Sequence, residues 1–85
     1  MGLDLVEMVM RIEEEFEITI PGEAAVTMVT PKAVIDYLIS LPEVNKKWSR
    51  DYVQLSVFII VEDESGVSRD RFNEDSRFIV DLGMD

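Results

Sequence analysis

Carboxylates are the groups in this chain that are numerous enough to support chemistry. The chain has 18 Asp and Glu residues, but it has no histidine and no cysteine. It therefore lacks the commonest general base and any thiol nucleophile. The acids fall on polar helix faces, where nothing indicates the desolvated cleft that shifts a catalytic pKa. We therefore expect no enzymatic activity.

One carboxylate-rich segment, residues 62–66 with the sequence E-D-E-S-G, superficially resembles a calcium-binding loop. In such a loop a glycine stands sixth, and the first and twelfth residues are carboxylate ligands. With Gly66 in sixth place, Val61 is first and Phe72 is twelfth, and neither side chain is a metal ligand. This alignment argues against an EF-hand, and we predict no metal site. Diffuse binding of divalent ions by residues 13–15 stays open.

The net charge of the chain limits the classes of molecule that it is expected to bind. A formal net charge of −10 repels nucleic acid and anionic membranes and attracts proteins with basic patches, although high solubility is the plainer meaning. No apolar run approaches the ~18 residues of a membrane span, and no signal-peptide pattern is visible. We expect a cytoplasmic protein with no nucleic-acid partner and no membrane insertion. The absence of cysteine leaves the redox compartment undecided.

Apolar periodicity predicts a helix from Leu3 to Phe16, with most of its acids off the apolar stripe. That stripe consists of Val6, Val9, Ile12 and Phe16. A short turn of helix is predicted within residues 23–28. Thr30 and Pro31 form a helix start signal, and Pro42 is expected to end the helix that follows. The apolar face of this second long helix consists of Val34, Ile35, Leu38 and Leu41.

A third long helix is predicted from Arg50 to Glu64, with Gly66 as its stop signal. Its inward residues are Val53, Val57, Ile60 and Val61. The stretch from Val67 to Asp85 is predicted to be a long loop with apolar anchors, namely Val67, Phe72, Phe78, Ile79 and Leu82. No strand is predicted. The expected fold is a single all-α domain over residues 1–85, a small four-helix bundle of three longer helices and one short one.

The two ends of the chain read as the halves of one motif. Residues 78–85 are F-I-V-D-L-G-M-D, and residues 3–10 are L-D-L-V-E-M-V-M. Reading the end into the beginning after the initiator Met1, with serine in place of Gly2, produces F-I-V-D-L-G-M-D-S-L-D-L-V-E-M-V-M. This resembles the stretch around the modified serine of acyl carrier proteins. The resemblance implies a circularly permuted carrier domain whose termini lie at the D-S-L attachment motif.

The resemblance covers nearly the whole chain in rotated order. Residues 3–41 resemble the family's second to fourth helices, including E-E-E-F at residues 13–16 and the I-x-I-P loop at residues 18–21. Residues 50–85 resemble its first helix and the loop after it, and residues 42–49 are a polar connector. Members of the family carry acyl chains as thioesters on a 4′-phosphopantetheine arm, in fatty-acid or polyketide-type synthesis.

The resemblance also implies a docking face. In the family, acids on the corresponding helix dock basic patches of acyl-chain synthases and of the phosphopantetheinyl transferase. The matching positions here are Asp4, Glu7, Met10, Glu13 and Glu14. A solvated helix face is the alternative interpretation of the acids, and core packing is the alternative for Met10.

The attachment serine itself is missing. Gly2 stands between Asp85 and Leu3 in the rotated order, and glycine has no hydroxyl for a phosphodiester. Ser76 follows an aspartate but precedes F-x-x-D-L-G, and Ser40 has no aspartate before it. We therefore expect an unmodifiable apo form without a cofactor. The alternative is a non-enzymatic interaction or structural module that uses the carrier fold without the arm. The permutation could be engineered, natural or a slice through tandem domains.

The connector decides whether the helix from Arg50 to Glu64 folds back within its own chain. About ten residues span ~33 Å when extended, which matches the size of a small domain. The net charge opposes self-association. We therefore expect a monomer rather than a domain-swapped dimer. Val44 and Trp48 are predicted to pack on the end of the bundle.

Overall fold

A computed structural model describes residues 3–85, which contain helices and, within that range, no strand. The helices are α1 (Leu3–Phe16), α2 (Gly22–Ala25), α3 (Pro31–Ser40), α4 (Pro42–Asn45) and α5 (Arg50–Ser65), followed by a 3-10 turn at Arg69–Arg71. The predicted all-α class is confirmed for this part of the chain. The helix count differs from the expected four because the connector contains a second short helix, α4.

The core is built around α5, against which both α1 and α3 pack. All four inward residues predicted for α5 are buried, and Phe58 is buried with them. The predicted stripe of α1 is correct for Val9, Ile12 and Phe16 but wrong for Val6, which is exposed. A helix turns by about 100° per residue. The face centred on Ile12 is therefore completed at its N-terminal end by Leu5 and Met8, which are both buried.

The predicted start of α3 and end of α5 are confirmed by their capping geometry. The hydroxyl of Thr30 accepts a hydrogen bond from the backbone N–H of Ala33 at 3.1 Å, and Pro31 occupies the first helical position. Gly66 ends α5 with φ at +72°, a left-handed conformation that glycine adopts without strain. Helix caps involve residues only a few positions apart, and they can therefore be predicted from the sequence.

The connector is not the polar loop that was expected. Pro42 begins the short helix α4 as well as following the end of α3, because proline suits the first position of a helix. Val44 is fully buried, as predicted. The half-buried ring of Trp48 meets Phe16 edge to face with 5.2 Å between centroids and stacks on Tyr52 at 6.3 Å. The predicted packing of Trp48 against the bundle is therefore also confirmed.

The segment from residue 67 to residue 85 contributes isolated apolar side chains to the core and presents no continuous apolar face. Four predicted anchors are buried or half-buried, namely Val67, Phe72, Phe78 and Leu82. The fifth, Ile79, is wrong because its side chain is exposed. Hydrogen bonds from Met84 N–H to Phe78 O at 2.9 Å and from Gly83 N–H to Ile79 O at 3.2 Å close a turn over residues 78–84, and Ile79 lies on its exposed side. The same turn buries Met84, which the sequence analysis did not anticipate.

We predict that the protein is a monomer, because α5 packs on α1 and α3 of its own chain after the connector. Light scattering over a range of concentrations should return the 9.7 kDa mass of one chain. The measurement should be repeated at raised salt, which screens the repulsion between acidic surfaces. A stable mass of twice that value would instead indicate a domain-swapped dimer.

Candidate functional site

The last residue of the sequence lies against the first turn of α1. The backbone oxygen of Asp85 accepts a hydrogen bond from the amide of Leu5 at 2.9 Å. In an α-helix each amide bonds the carbonyl four residues earlier. Counted through the rotated order without the initiator Met1 (Asp85, Gly2, Leu3, Asp4, Leu5), Asp85 occupies that position for Leu5. Gly2 itself, the predicted attachment position, lies outside the described residues.

Backbone hydrogen bonds and buried side chains hold the segment that leads to Asp85. The amide of Phe78 donates to the carbonyl of Val29 at 3.0 Å, and the amide of Lys32 donates to the carbonyl of Glu74 at 2.8 Å. The side chains of Phe78 and Met84 are both buried. The contact between Asp85 and α1 is therefore supported by packing as well as by a single hydrogen bond.

An apolar cleft of about 810 Å³ opens beside this contact. Side chains from α1, from the loop after α2 and from the C-terminal segment line it. The apolar members are Leu5, Met8, Val9, Ala25, Val26, Met28, Val29, Phe78, Ile79 and Val80, and the charged members are Arg77 and Asp85. The volume falls within the ~300–1,000 Å³ of typical small-molecule sites. Such a lining suits an apolar chain and offers few partners to a strongly polar ligand.

Sequence reasoning missed this cleft because no single segment forms it. Four apolar side chains near its mouth are exposed, in two sequence pairs far apart in the chain: Val26 with Val29, and Ile79 with Val80. Exposed apolar residues gathered in one patch mark binding surfaces more often than single ones do. The two apolar pairs are visible in the sequence, but the fold is needed to show that both lie at the opening of one cleft.

The predicted docking residues lie on α1, the helix that also lines the cleft. Steps of three and four residues place three exposed members on one side of the helix, namely Glu7, Met10 and Glu14. Asp4 is half-buried in the first turn. Glu13 is engaged elsewhere, because its Oε2 accepts a hydrogen bond from the backbone N–H of Ile20 at 2.6 Å. Glu13 therefore holds the loop after α1, while the exposed stripe is free to meet a partner.

Arg77, one of the two charged residues that line the cleft, is paired with Asp81, which lies outside the lining. Asp81 accepts hydrogen bonds from the backbone N–H of Arg77 at 2.8 Å and from its guanidinium Nε at 3.3 Å. The backbone bond first, and the guanidinium second, lower the pKa of Asp81 below its usual range. Arg77 therefore meets the cleft as one member of an ion pair, and Asp85 is the acidic residue of the lining.

Neither of the two serines considered as alternatives lies at this site. The hydroxyl of Ser76 accepts a hydrogen bond from the backbone N–H of Asn73 at 2.9 Å within a turn. The hydroxyl of Ser40 donates to the carbonyl of Tyr37 at 2.6 Å at the end of α3. Across residues 3–85, no group of three or more His, Cys, Asp or Glu side chains is placed to hold a metal ion.

Comparison with known proteins does not assign a family to this chain. No protein-family model matches it, and no solved structure matches it significantly. Within the described part of the chain, every helix is too short or too polar to cross a membrane. The candidate site is therefore defined by its own geometry: the contact between Asp85 and Leu5, the apolar cleft and the exposed stripe of α1.

Proposed function

We propose that this chain is an acyl-carrier-like domain whose segments follow one another in rotated order. The observation that carries the proposal is the position of Asp85, whose backbone oxygen bonds the Leu5 amide at the edge of the apolar cleft. A serine between Asp85 and Leu3 would stand at the start of α1. The free amides and the dipole at a helix N-terminus favour a phosphate group there.

The rotated order accounts for the whole architecture. In this proposal α1, α2 and α3 correspond to the family's second, third and fourth helices, and α5 corresponds to its first. The connector with α4 joins what would otherwise be the two termini. Domain termini often lie close together, which is why such rearrangements are tolerated. The four-helix arrangement of the family is then present here with one added short helix.

The cleft supplies a place for an apolar chain beside the attachment point. Each methylene group moved from water into such a lining stabilises the bound state by ~0.8 kcal/mol. Leu5, Met8 and Phe78 would surround a chain held as a thioester on a 4′-phosphopantetheine arm. We propose that the serine-bearing parent carries acyl chains in this way during fatty-acid or polyketide-type synthesis in the cytoplasm.

The exposed stripe of α1 supports docking by enzymes with basic patches. Met10, which is 52% exposed, lies between the carboxylates of Glu7 and Glu14. Charged groups steer a partner of opposite charge, and a flexible methionine adapts to the surface that arrives. The proposed partners are acyl-chain synthases and the phosphopantetheinyl transferase. The domain would present the chain to them and would perform no catalysis of its own.

The glycine at position 2 favours a second candidate function for the chain with its present sequence. Glycine provides no oxygen to bond phosphorus, so the arm has no attachment point at this position. An interaction or structural module that keeps the carrier architecture without the arm is consistent with this residue. The two candidates differ in one respect that is open to experiment, namely whether restoring the hydroxyl restores modification.

Replacing Gly2 by serine tests the proposal. The Gly2→Ser variant, incubated with coenzyme A and a phosphopantetheinyl transferase, should gain the mass of one 4′-phosphopantetheine group, whereas the unsubstituted chain should gain none. Mass spectrometry of the intact chain and of its peptides would locate the addition. Ser40→Ala and Ser76→Ala, each introduced into the Gly2→Ser background, serve as matched controls and should leave the yield unchanged.

Two results would contradict this scheme. Addition to the unsubstituted chain at Ser40 or Ser76 would mean that the rotated alignment is wrong. An unmodified Gly2→Ser variant with an intact circular dichroism spectrum would favour the armless module instead.

A further inference from the structure

The outer side of α5 carries an apolar pair that its packing against α1 and α3 leaves exposed. Leu55 is 59% exposed and Ile59 is 48% exposed. The two residues are four apart, which makes them neighbours on the helix surface. A groove of about 260 Å³ runs beside them. No residue lines both this groove and the cleft beside α1.

The base of the groove is formed by a fixed aromatic and arginine pair. The guanidinium carbon of Arg69 lies 3.8 Å from the ring centroid of Phe58, and its Nη1 donates to the carbonyl of Phe72 at 2.9 Å. The backbone N–H of Arg69 donates to Oε2 of Glu62 at 2.8 Å. These contacts tie the 3-10 turn to α5. The groove is therefore preformed, and the guanidinium of Arg69 lies over the Phe58 ring, where it adds one positive charge to a lining that contains two acids.

Carboxylates stand at the two ends of the groove. Asp51 and Glu62 both line it, and they are eleven residues apart on α5, a distance of ~16 Å along the helix. Among the described residues, every ion pair within 4.0 Å involves acids other than these two. Oε2 of Glu62 accepts the Arg69 amide, so the acceptors that remain for a partner's base are Oε1 of Glu62 and the carboxylate of Asp51. An apolar centre with an acid at each end complements a surface that has an apolar centre with a base at each end.

A second copy of this chain is a poor occupant of the groove. If two α5 helices met in antiparallel orientation, Asp51 of one copy would face Glu62 of the other. In parallel orientation each of these acids would face its own counterpart. Both arrangements juxtapose two pairs of acids, which the single arginine of each lining offsets only in part, and the net charge of −10 on each copy adds to the repulsion. The charge pattern therefore selects a different molecule with basic residues.

We propose that this groove docks an amphipathic helix of a partner protein that presents apolar side chains at i and i+4 and basic residues at both ends. The apolar pair would meet Leu55 and Ile59, and the basic residues would meet Asp51 and Glu62. A single helix on a groove of this size makes a small interface of the weak, transient class. Because the site shares no residue with the cleft, the partner would leave the cleft accessible. The proposal holds whether or not the domain carries an arm.

A designed peptide provides the test. The probe is an alanine-based helix of ~16 residues with two leucines at i and i+4 in its centre and lysines ~11 residues apart. It should shift the backbone amide NMR signals of residues 51–62 and of Arg69 in the full chain. A matched peptide with glutamates in place of the lysines should bind too weakly to detect. Leu55→Ser should weaken binding about tenfold, and Asp51→Asn about threefold.

Matched variants outside the groove, the cleft and the α1 docking stripe control for nonspecific apolar and charge effects. Val6 and Glu23 are both exposed, so Val6→Ser and Glu23→Gln should leave the affinity for the lysine peptide unchanged. The exposed positions substituted here should also leave the unfolding midpoint nearly unchanged, so a loss of binding would not reflect unfolding. Equal binding of the two peptides, signal shifts confined to α1, or self-association through residues 51–62 would each overturn the proposal.

Discussion

Replacing Phe16 by alanine is expected to lower the free energy of unfolding by ~3–5 kcal/mol. The side chain is only 1% exposed at the end of α1, so its removal leaves a cavity that the surroundings fill only in part. It also deletes an edge-to-face contact with Trp48 at 5.2 Å, and such pairs contribute ~0.5–1.5 kcal/mol beyond burial. Small domains have a total stability of only ~5–15 kcal/mol. The variant should therefore be close to unfolding at 37 °C.

Denaturant titration measures this loss, and Met10→Ala on the same helix is the matched control. Met10 is exposed, so its truncation should change the free energy of unfolding by no more than ~0.5 kcal/mol. The fluorescence of Trp48 should also change in the Phe16→Ala variant, because the two rings are in contact. An unchanged midpoint for Phe16→Ala would mean that Phe16 lies at the surface and that the rotation of α1 is different.

Much of this fold could be predicted from the sequence because its helices depend on interactions between residues close together in the chain. The stripe ending at Phe16, the cap at Thr30 and the stop at Gly66 each involve residues within a turn or two of one another. Val6 continues the periodic stripe of α1 and was therefore predicted to be buried. Whether Val6 or Leu5 is buried depends on how α1 is rotated against α5. That rotation is a tertiary property, so periodicity alone could not settle it.

The part of the candidate site that could be predicted from the sequence is the one formed by the two ends of the chain. The similarity of the two termini to one motif predicted that they lie together, and the amide of Leu5 donates a hydrogen bond to the backbone oxygen of Asp85. The rotated order itself stays a prediction. The cleft is lined by residues more than 50 positions apart, such as Val26 and Val80, and no local pattern encodes that they share one cleft. The engagement of Glu13 with Ile20 was likewise hidden, because an acid that bonds a backbone amide looks the same in sequence as a solvated one.

The cleft itself has a physical origin in the C-terminal segment. A fourth long helix would present a continuous apolar face to α1, whereas residues 67–85 insert isolated side chains such as Phe72, Phe78 and Leu82. Isolated anchors leave space between them, and protein interiors normally contain few voids larger than a water molecule. The cleft of about 810 Å³ is open to solvent, so the space between these anchors leaves apolar side chains exposed that a fourth long helix would cover.

Phe78→Ala is expected to destabilise the protein by ~3–5 kcal/mol and to release the segment that carries Asp85. The ring of Phe78 is 1% exposed and also lines the cleft, so its loss removes both a core anchor and a wall of the site. Its neighbour Ile79 is 62% exposed and provides the matched control, for which Ile79→Ala should cost no more than ~0.5 kcal/mol.

Hydrogen exchange adds a local measurement to the denaturant midpoint. The amide of Leu5 donates to Asp85, so it should exchange faster in Phe78→Ala than in Ile79→Ala, and by more than the amides at the centre of α5. That pattern would mean that the segment detaches before the bundle unfolds. Equal midpoints and equal Leu5 exchange in the two variants would show that Phe78 does not hold the site together, and the cleft would then need another explanation.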